Sequence, residues 1–331
     1  MSGQLDLFAA APGGKAVSRG AAERLEEERA RAADLAARLP ETLRFGTSSW
    51  SFPDWEGLVY PARLATAELA RNGLREYALH PLLRTVGIDR SYYAPIPGED
   101  LDRYATQLPA GFPCCAKAPE AVTSPVLGDR ARGPVAANPD FLRPERFLQE
   151  LIEPFREHFA GHIGPFVIQF PPAPAGHRLT PDRFARALDE FLSALPRDHG
   201  YAVELRDASH LTKEYADVLG RHGVAHVYNY ATAMPLPADQ AAVVAPASAR
   251  FTMIRLLLPP QTRYTERRDA LWPFVKVGDP DPTMRNQVAD LVRRGLSTGN
   301  PVYVLVNNKA EGCAPLTIRA LAELLAQGKT A

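Results

Sequence analysis

The chain has 331 residues, 46% of them hydrophobic and 23% charged, which is typical of a globular protein with a sizeable core. Its 38 lysines and arginines balance 38 aspartates and glutamates, so no global basic field attracts nucleic acid or anionic lipid. Three cysteines, two of them adjacent, make a poor disulfide framework, and none has the CxxC spacing of a zinc motif. With no membrane-length apolar run and no secretory leader, we expect a cytoplasmic protein without a membrane partner.

The first 40 residues form a separate extension in this interpretation. Gln4 to Phe8 make a short apolar cluster, and residues 16–39 are rich in helix formers and in charge pairs four residues apart. Leu25, Leu35 and Leu39 give that helix only a thin apolar stripe. The pattern predicts a mobile tip and then a solvated helix, which lies against a domain spanning residues 41–331.

From Leu43 onward, short apolar runs alternate with helical segments, which is typical of parallel strands joined by crossover helices. The predicted strands are 43–47, 84–89, 112–117, 165–170, 201–206, 224–229, 251–256 and 302–307. The predicted helices are 66–79, 144–160, 181–195, 211–221, 282–297 and 315–327. Two Pro/Ala-rich stretches, 118–140 and 230–249, are predicted as loops that cover the mouth. Eight strands predict an α/β fold, a closed (β/α)8 TIM-like barrel with an N-terminal helical extension.

Every predicted strand ends in a polar residue, at the face of a barrel where active sites lie. These residues are Ser48, Asp89, Lys117, Gln169, Arg206, Asn229, Arg255 and Asn307. The two-residue period of a strand points Glu204 and Arg206 into the barrel, and Val203 and Leu205 outward. Two interpretations stay open. The ring is either a buried polar network that pairs with itself, or a pocket in which Lys117, Arg206 and Arg255 hold an anion.

Several segments together resemble the YecE-like family, known as domain of unknown function 72, whose members are TIM barrels. They are FGTSSWSFPDW from Phe45, SYYAP from Ser91, AKAPE from Ala116, IQFPP from Ile168, AVELRDASH from Ala202 and VNNKAEGCA from Val306. The resemblance covers about residues 43–327. It implies a carboxylate at Gly87 and an imidazole at Leu257, and both are missing from this chain.

Two kinds of catalytic chemistry fit the ring. Lys117 forms a Schiff base if burial and nearby cations lower its pKa; otherwise it is a fixed charge paired with Glu204 or an anion. Glu204 and Asp89 are candidates for a general acid/base pair, with a structural ion pair as the alternative.

The remaining candidates are ligand-binding side chains. Trp50 and Tyr93 stack on a base or sugar, or simply fill the mouth. His210, just beyond the fifth strand, is the best-placed histidine, and Asn307 and Asn308 orient the ligand. Few histidines and carboxylates lie at the strand ends, so no metal site is predicted, and the sequence requires no cofactor.

The N-terminal tip resembles the peptide by which bacterial proteins bind the DNA sliding clamp. In Gln4-Leu5-Asp6-Leu7-Phe8, Leu7 and Phe8 would enter an apolar pocket while Gln4 bonds at its rim. The alternatives are chance, or a tip that packs back on the barrel. The leading hypothesis is therefore a clamp-recruited barrel that binds or processes DNA or a phosphate-bearing nucleic-acid fragment. A metabolic lyase, isomerase or hydrolase acting on a small anionic substrate, and a non-catalytic ligand-binding module, are the alternatives.

Overall fold

The computed structural model describes residues 19–128 and 135–328, and eight parallel strands in this part of the chain close into a barrel. They are β1 (Leu43–Thr47), β2 (Leu83–Ile88), β3 (Cys114–Lys117), β4 (Ile163–Phe170), β5 (Tyr201–Leu205), β6 (Ala225–Tyr230), β7 (Thr252–Leu256) and β8 (Val302–Val306). Each strand pairs with its neighbours in the sequence, and β1 pairs with β8 to close the barrel. The predicted TIM-like fold is confirmed.

Helices surround the strands. They are α1 (Arg19–Ala37), α2 (Thr66–Asn72), α3 (Leu74–Ala78), α4 (Gly98–Ala105), α5 (Glu120–Thr123), α6 (Pro144–Phe147), α7 (Glu153–His158), α8 (Pro181–Ser193), α9 (Lys213–His222), α10 (Pro237–Val243), α11 (Tyr264–Leu271), α12 (Pro282–Leu296) and α13 (Ala314–Gln327). None of the described helices is long and apolar enough to cross a membrane.

The strands divide their side chains between two apolar layers. Outward residues such as Val203 and Leu205 pack in a large cluster with the helices. A smaller cluster fills the inside of the barrel, and its members are Cys115, Val167, Ala202, Ala225, Val227, Phe251, Met253, Tyr303 and Leu305. The next inward position along several strands carries a polar side chain, such as Glu204 two residues after Ala202. The predicted inward direction of Glu204 is thereby confirmed, and the barrel has an apolar floor beneath a polar mouth.

Some helices differ from the prediction. The predicted helix 66–79 is divided at Gly73, and the predicted helix 144–160 contains a π-helical turn at Leu148–Ile152. Pro154 explains this turn, because proline cannot donate the backbone hydrogen bond that continues an α-helix. The predicted loop 230–249 contains α10, and 118–140 contains α5 and a short antiparallel pair of Val126–Leu127 with Ala136–Ala137.

The N-terminal helix α1 packs against α13 along the outside of the barrel. Its predicted stripe of Leu25, Leu35 and Leu39 is buried, and so are Ala21 and Ala32. The predicted apolar stripe is therefore part of the core, while most other positions of the helix are exposed.

The start of α1 lies on the mouth face of the barrel. Near this end, the Arg24 side chain contacts Gly57, in the segment that follows β1. At the opposite end, Arg84 donates hydrogen bonds to the carbonyls of Ala36 and Pro40. The first described turns of α1 therefore lie beside the mouth. The predicted clamp-binding residues Gln4, Leu5, Leu7 and Phe8 lie outside the described residues.

Candidate functional site

Arg255 occupies the centre of the mouth and joins two carboxylates. Its side chain is 1% exposed, and its Nη1 donates to Glu204 Oε2 at 2.5 Å. Its Nη2 donates to both oxygens of Asp89, at 3.0 and 3.2 Å. Because β7, β5 and β2 carry these residues, Arg255 connects widely separated strands of the barrel. This arginine is therefore a structural centre of the mouth, with both ends of its guanidinium already paired.

Lys117, at the end of β3, lies in the same network. Its Nζ donates to Gln169 Oε1 at 2.9 Å and lies 3.3 Å from Asp89 Oδ2. The Tyr92 ring centroid is 5.1 Å from this ammonium. Ser91 fixes the end of β3 by donating its hydroxyl to the Lys117 carbonyl at 2.7 Å. The SYYAP segment thus supplies both the backbone support and the aromatic wall of the lysine.

Arg206 completes the set that we call the polar ring, whose members are Asp89, Lys117, Gln169, Glu204, Arg206 and Arg255. Arg206 Nε donates to Glu204 Oε1 at 2.5 Å, and its Nη2 donates to Gln169 Oε1 at 3.3 Å. The side chains of Arg206 and Asp89 are 26% and 28% exposed, so they are the members through which solvent reaches the ring. Glu204 is fully buried.

Burial and charge act in opposite directions on the titrating groups. Burial penalises the Glu204 carboxylate, but Arg206, Arg255 and Lys117 outweigh that effect and hold its pKa at about 2. Burial, supported by Arg255 and Arg206, lowers the pKa of Lys117 to about 8, although Asp89 partly opposes the shift. Near neutral pH, Glu204 is therefore a fixed anion, while Lys117 has an accessible neutral amine form.

Lys309 is a mouth residue that the strand-end pattern missed. It follows β8 by three residues, and its Nζ lies 4.6 Å from the centroid of the Tyr264 ring. Burial lowers its pKa to about 8, and Lys117 and Arg268 act in the same direction while Asp89 opposes them. The VNNKAEGCA segment contained the signal, because a lysine within a short turn after a barrel strand lies at the mouth.

Tyr93 lies at the entrance to the ring and is 56% exposed. Its ring meets the Tyr92 ring edge-on at a centroid distance of 5.2 Å. Burial raises the pKa of its hydroxyl, and the charges of Asp89 and Glu120 raise it further, so these carboxylates lie within its electrostatic reach. The predicted position of Tyr93 at the mouth agrees with this placement.

Four predicted ligand-binding residues lie at strand ends but outside the polar ring, and they are Ser48, Asn229, Asn307 and Asn308. Asn229 is fully buried and its side chain donates to the Leu205 carbonyl. The Gln240 amide accepts from the Asn229 backbone N–H and donates to its carbonyl. The side-chain oxygens of Asn307 and Asn308 accept backbone N–H bonds within their own turn. Within this group of four residues, the Ser48 hydroxyl and the Asn308 Nδ2 are buried without a hydrogen-bond partner among the described residues.

Trp50 and His210 have structural partners outside the polar ring, and their predicted ligand-binding role stays a prediction. The Trp50 indole donates to the Leu69 carbonyl at 2.8 Å, and its ring packs edge-on against Tyr104. His210 stacks on Phe184 at a centroid distance of 4.3 Å. Both residues follow a strand end by two or more positions, where alternation along the strand no longer sets the direction of a side chain.

Two further observations delimit the site. Within residues 19–128 and 135–328, no group of three or more histidines, cysteines, aspartates or glutamates could hold a metal ion. A cleft of about 490 Å³ lies apart from the ring, between α1 and the segment after β1. Three of its charged groups are engaged in ion pairs, since Arg63 pairs with Asp54 and Glu28 pairs with Arg319. The polar ring lies instead at the ends of the strands, where barrels of this fold carry their active sites, and is therefore the better candidate.

A family model described as a protein of unknown function, DUF72, matches residues 44–331. The chain belongs to the DUF72 family. A DUF72 protein of Thermotoga maritima is 19% identical, with a TM-score of 0.60 over 86% of this chain and 98% of that chain. A DUF72 protein of Enterococcus faecalis is 16% identical, with a TM-score of 0.55 over 85% and 95%. At these identities the similarity concerns the fold alone. No curated protein matched the chain.

This DUF72 chain departs from the expected motifs at Gly87 and Leu257, and the structure shows what surrounds each of them. A Cβ atom on Gly87 would lie 3.1 Å from the Ser48 carbonyl oxygen, so a larger residue would crowd β1. Leu257 is buried in the outer apolar cluster. The carboxylate that faces Arg255 from β2 is Asp89, two residues after Gly87.

Proposed function

We propose that the polar ring binds a phosphate-bearing group, and that Lys117 and Asp89 exchange protons with it during its processing. One observation carries this proposal. The sequence has only six lysines against 32 arginines, yet two of those lysines, Lys117 and Lys309, act electrostatically on each other beside Asp89. An arginine stays charged at any physiological pH, whereas a buried lysine can give up its proton. Two lysines here suit proton transfer next to an anion.

The charge balance favours an anionic ligand. Among the described residues in and beside the ring, the four cations Arg206, Arg255, Lys117 and Lys309 face the two carboxylates of Asp89 and Glu204, and Glu120 lies further out near Tyr93. Arg255 is engaged at both ends, so the ligand would meet Lys117, Lys309 and Arg206. In a site with little water, their attraction for a phosphate is stronger than on the surface.

We further propose that the phosphate belongs to a nucleic-acid fragment, and that the sliding clamp recruits the protein through Gln4, Leu5, Leu7 and Phe8. The position of α1 supports this arrangement, because its first turns lie at the mouth face. The ten residues between Phe8 and Arg19 would span at most about 35 Å. A clamp held by this tip would stay close to the mouth, and three buried free cysteines suit such a role in the cytoplasm.

A small anionic metabolite is the second candidate ligand. The Lys117 side chain is only 9% exposed, so the ring offers little surface to a bulky ligand and favours a small one. A phosphorylated or carboxylated metabolite would meet the same cations, as the substrate of a lyase, isomerase or hydrolase. A non-catalytic module would bind the same group and leave it unchanged.

The test is calorimetric binding of inorganic phosphate, ribose 5-phosphate and a 5′-phosphorylated oligothymidylate, with the products analysed by chromatography. We expect Lys117→Met to weaken phosphate binding at least tenfold. Lys213→Met is the matched control, because Lys213 is 82% exposed on α9. Equal phosphate affinities of both variants and the wild type would contradict the ring as the site. Clamp binding that survives a Leu7→Ala/Phe8→Ala double substitution would contradict recruitment by the tip.

A further inference from the structure

Two exposed tyrosines stand above the polar ring on different loops. Tyr93 follows β2 and is 56% exposed, and Tyr264 begins α11 after β7 and is 37% exposed. The two hydroxyls lie within electrostatic reach of each other. Loops from well-separated strands of the barrel therefore bring two aromatic side chains to one entrance.

These tyrosines lie directly beside cations. Tyr93 packs edge-on against Tyr92, whose ring centroid is 5.1 Å from Lys117 Nζ. Tyr264 faces Lys309 Nζ at 4.6 Å. Among the described residues, the Tyr264 ring is the one direct contact of the Lys309 ammonium. A desolvated ammonium without a carboxylate partner is an available donor for an anion.

An exposed aromatic ring next to an available cation is the combination that binds nucleotides. Bases stack on aromatic side chains whatever their sequence, because every base has a π face. A phosphate takes the adjacent ammonium as a point charge. A sugar phosphate carries the anion but no flat ring that could stack on the tyrosines.

We infer that Tyr93, Tyr264 and Lys309 form a nucleotide subsite at the rim, in which the base lies against the tyrosines and the phosphate meets Lys309. This subsite deepens the proposed function and rests on it for the role of the ring beneath. The substrate class is then a nucleotide unit, either free or at the end of a single strand, since a base stacked inside a double helix reaches such a site only if it is flipped out.

The decisive comparison uses four probes: thymidine 5′-monophosphate, thymidine, ribose 5-phosphate and inorganic phosphate. We expect the monophosphate to bind roughly tenfold or more tightly than ribose 5-phosphate, because stacking adds to the phosphate contact. Tyr93→Ala and Tyr264→Ala should each remove most of that preference, whereas Tyr93→Phe and Tyr264→Phe should retain it.

The lysine variants separate the subsite from the ring. Lys309→Met should weaken binding of the monophosphate about tenfold and leave thymidine unchanged, and Lys213→Met should change neither. Equal affinities for the monophosphate and ribose 5-phosphate, with phosphate binding still dependent on Lys117, would overturn the rim subsite alone. The opposite result is also possible: the preference for the monophosphate depends on the tyrosines, but Lys117→Met leaves the phosphate affinity unchanged. That result would overturn the proposed function of the ring.

Discussion

Arg255 Nη2 lies 3.0 Å from the Asp89 carboxylate, and this ion pair joins β7 to the end of β2. In the closed barrel these strands are separated by β8 and β1, so the contact crosses the mouth. The other guanidinium nitrogen of Arg255 pairs with Glu204 on β5. One arginine thus fixes two carboxylates whose remaining contacts reach Lys117 and Arg206.

Replacement of Arg255 by methionine should destabilise the protein by about 3–5 kcal/mol, because it removes a partner from a fully buried carboxylate. The free energy of unfolding in urea is the measurement. Arg263→Met is the control, since Arg263 is 82% exposed and its pair with Glu266 lies at the surface. We expect that control to change stability by no more than about 0.5 kcal/mol. An equally small effect at Arg255 would mean that the central ion pairs are absent in solution.

The stability of the protein should depend on pH through Glu204. The pKa of this carboxyl is about 2 in the folded protein, below its usual value of 4.5. The carboxylate therefore contributes stability that is fully present above pH 4.5 and is lost as the pH falls towards 2. We expect the stability difference between the wild type and Glu204→Gln to be constant from pH 5 to 7 and to decrease from pH 4.5 to 3. A difference that increased over this acidic range would contradict the assignment.

Lys117 and Lys309 should react with cyanate at lower pH than an exposed lysine. Burial lowers the pKa of both amines to about 8, and only the neutral amine is nucleophilic. Carbamylation followed by mass spectrometry should give midpoints near pH 8 at these two sites. Lys213 is the internal reference, because its pairing with Asp217 raises its pKa above 10.5. A Lys117 midpoint equal to that of Lys213 would show a fully charged lysine at neutral pH.

Gly46 should tolerate no side chain, because β1 and β2 approach closely there. A Cβ atom on Gly46 would lie 2.1 Å from the Thr85 carbonyl oxygen. Gly46→Ala should therefore destabilise by about 1–3 kcal/mol or more. The matched control is Gly220→Ala within α9, where a Cβ meets nothing within 4 Å and should stabilise by about 0.5–1 kcal/mol. Thermal unfolding of both variants tests the close approach, and a harmless Gly46→Ala would exclude it.

The strand ends were predictable because alternation along a strand is a strict geometric rule. Asp89 and Lys117 could be assigned to one ring because each lies at the end of an apolar run, and Glu204 because alternation along its strand points it into the barrel. Their pairing partners could not, because contacts across a barrel depend on the shear of the strands and on rotamers. The directions of the Trp50 and His210 side chains could not be predicted for a related reason, since loops carry no periodic signal.

The predicted helix pattern failed where local chemistry interrupts periodicity. Pro154 converts one predicted helix into two helices around a π-helical turn, and α10 lies in a stretch whose alanines and prolines resembled a loop. The sequence leaves two interpretations of the polar ring open, an anion-binding pocket and a network that pairs with itself. In the structure the same residues belong to both interpretations. Arg255 belongs to the paired network, whereas Lys309, which the strand-end rule could not find, has its ammonium against an aromatic ring.

The most direct test of an anion-binding mouth is an NMR titration of the lysine side chains with inorganic phosphate. Six lysines in the chain make the spectrum of ε-¹³C-labelled lysine sparse enough to assign by single substitutions. We predict that phosphate shifts the Lys117 and Lys309 signals with one common dissociation constant, while Lys213 stays unchanged. Saturating phosphate that leaves the Lys117 signal in place would contradict an anion-binding role for the mouth of this barrel.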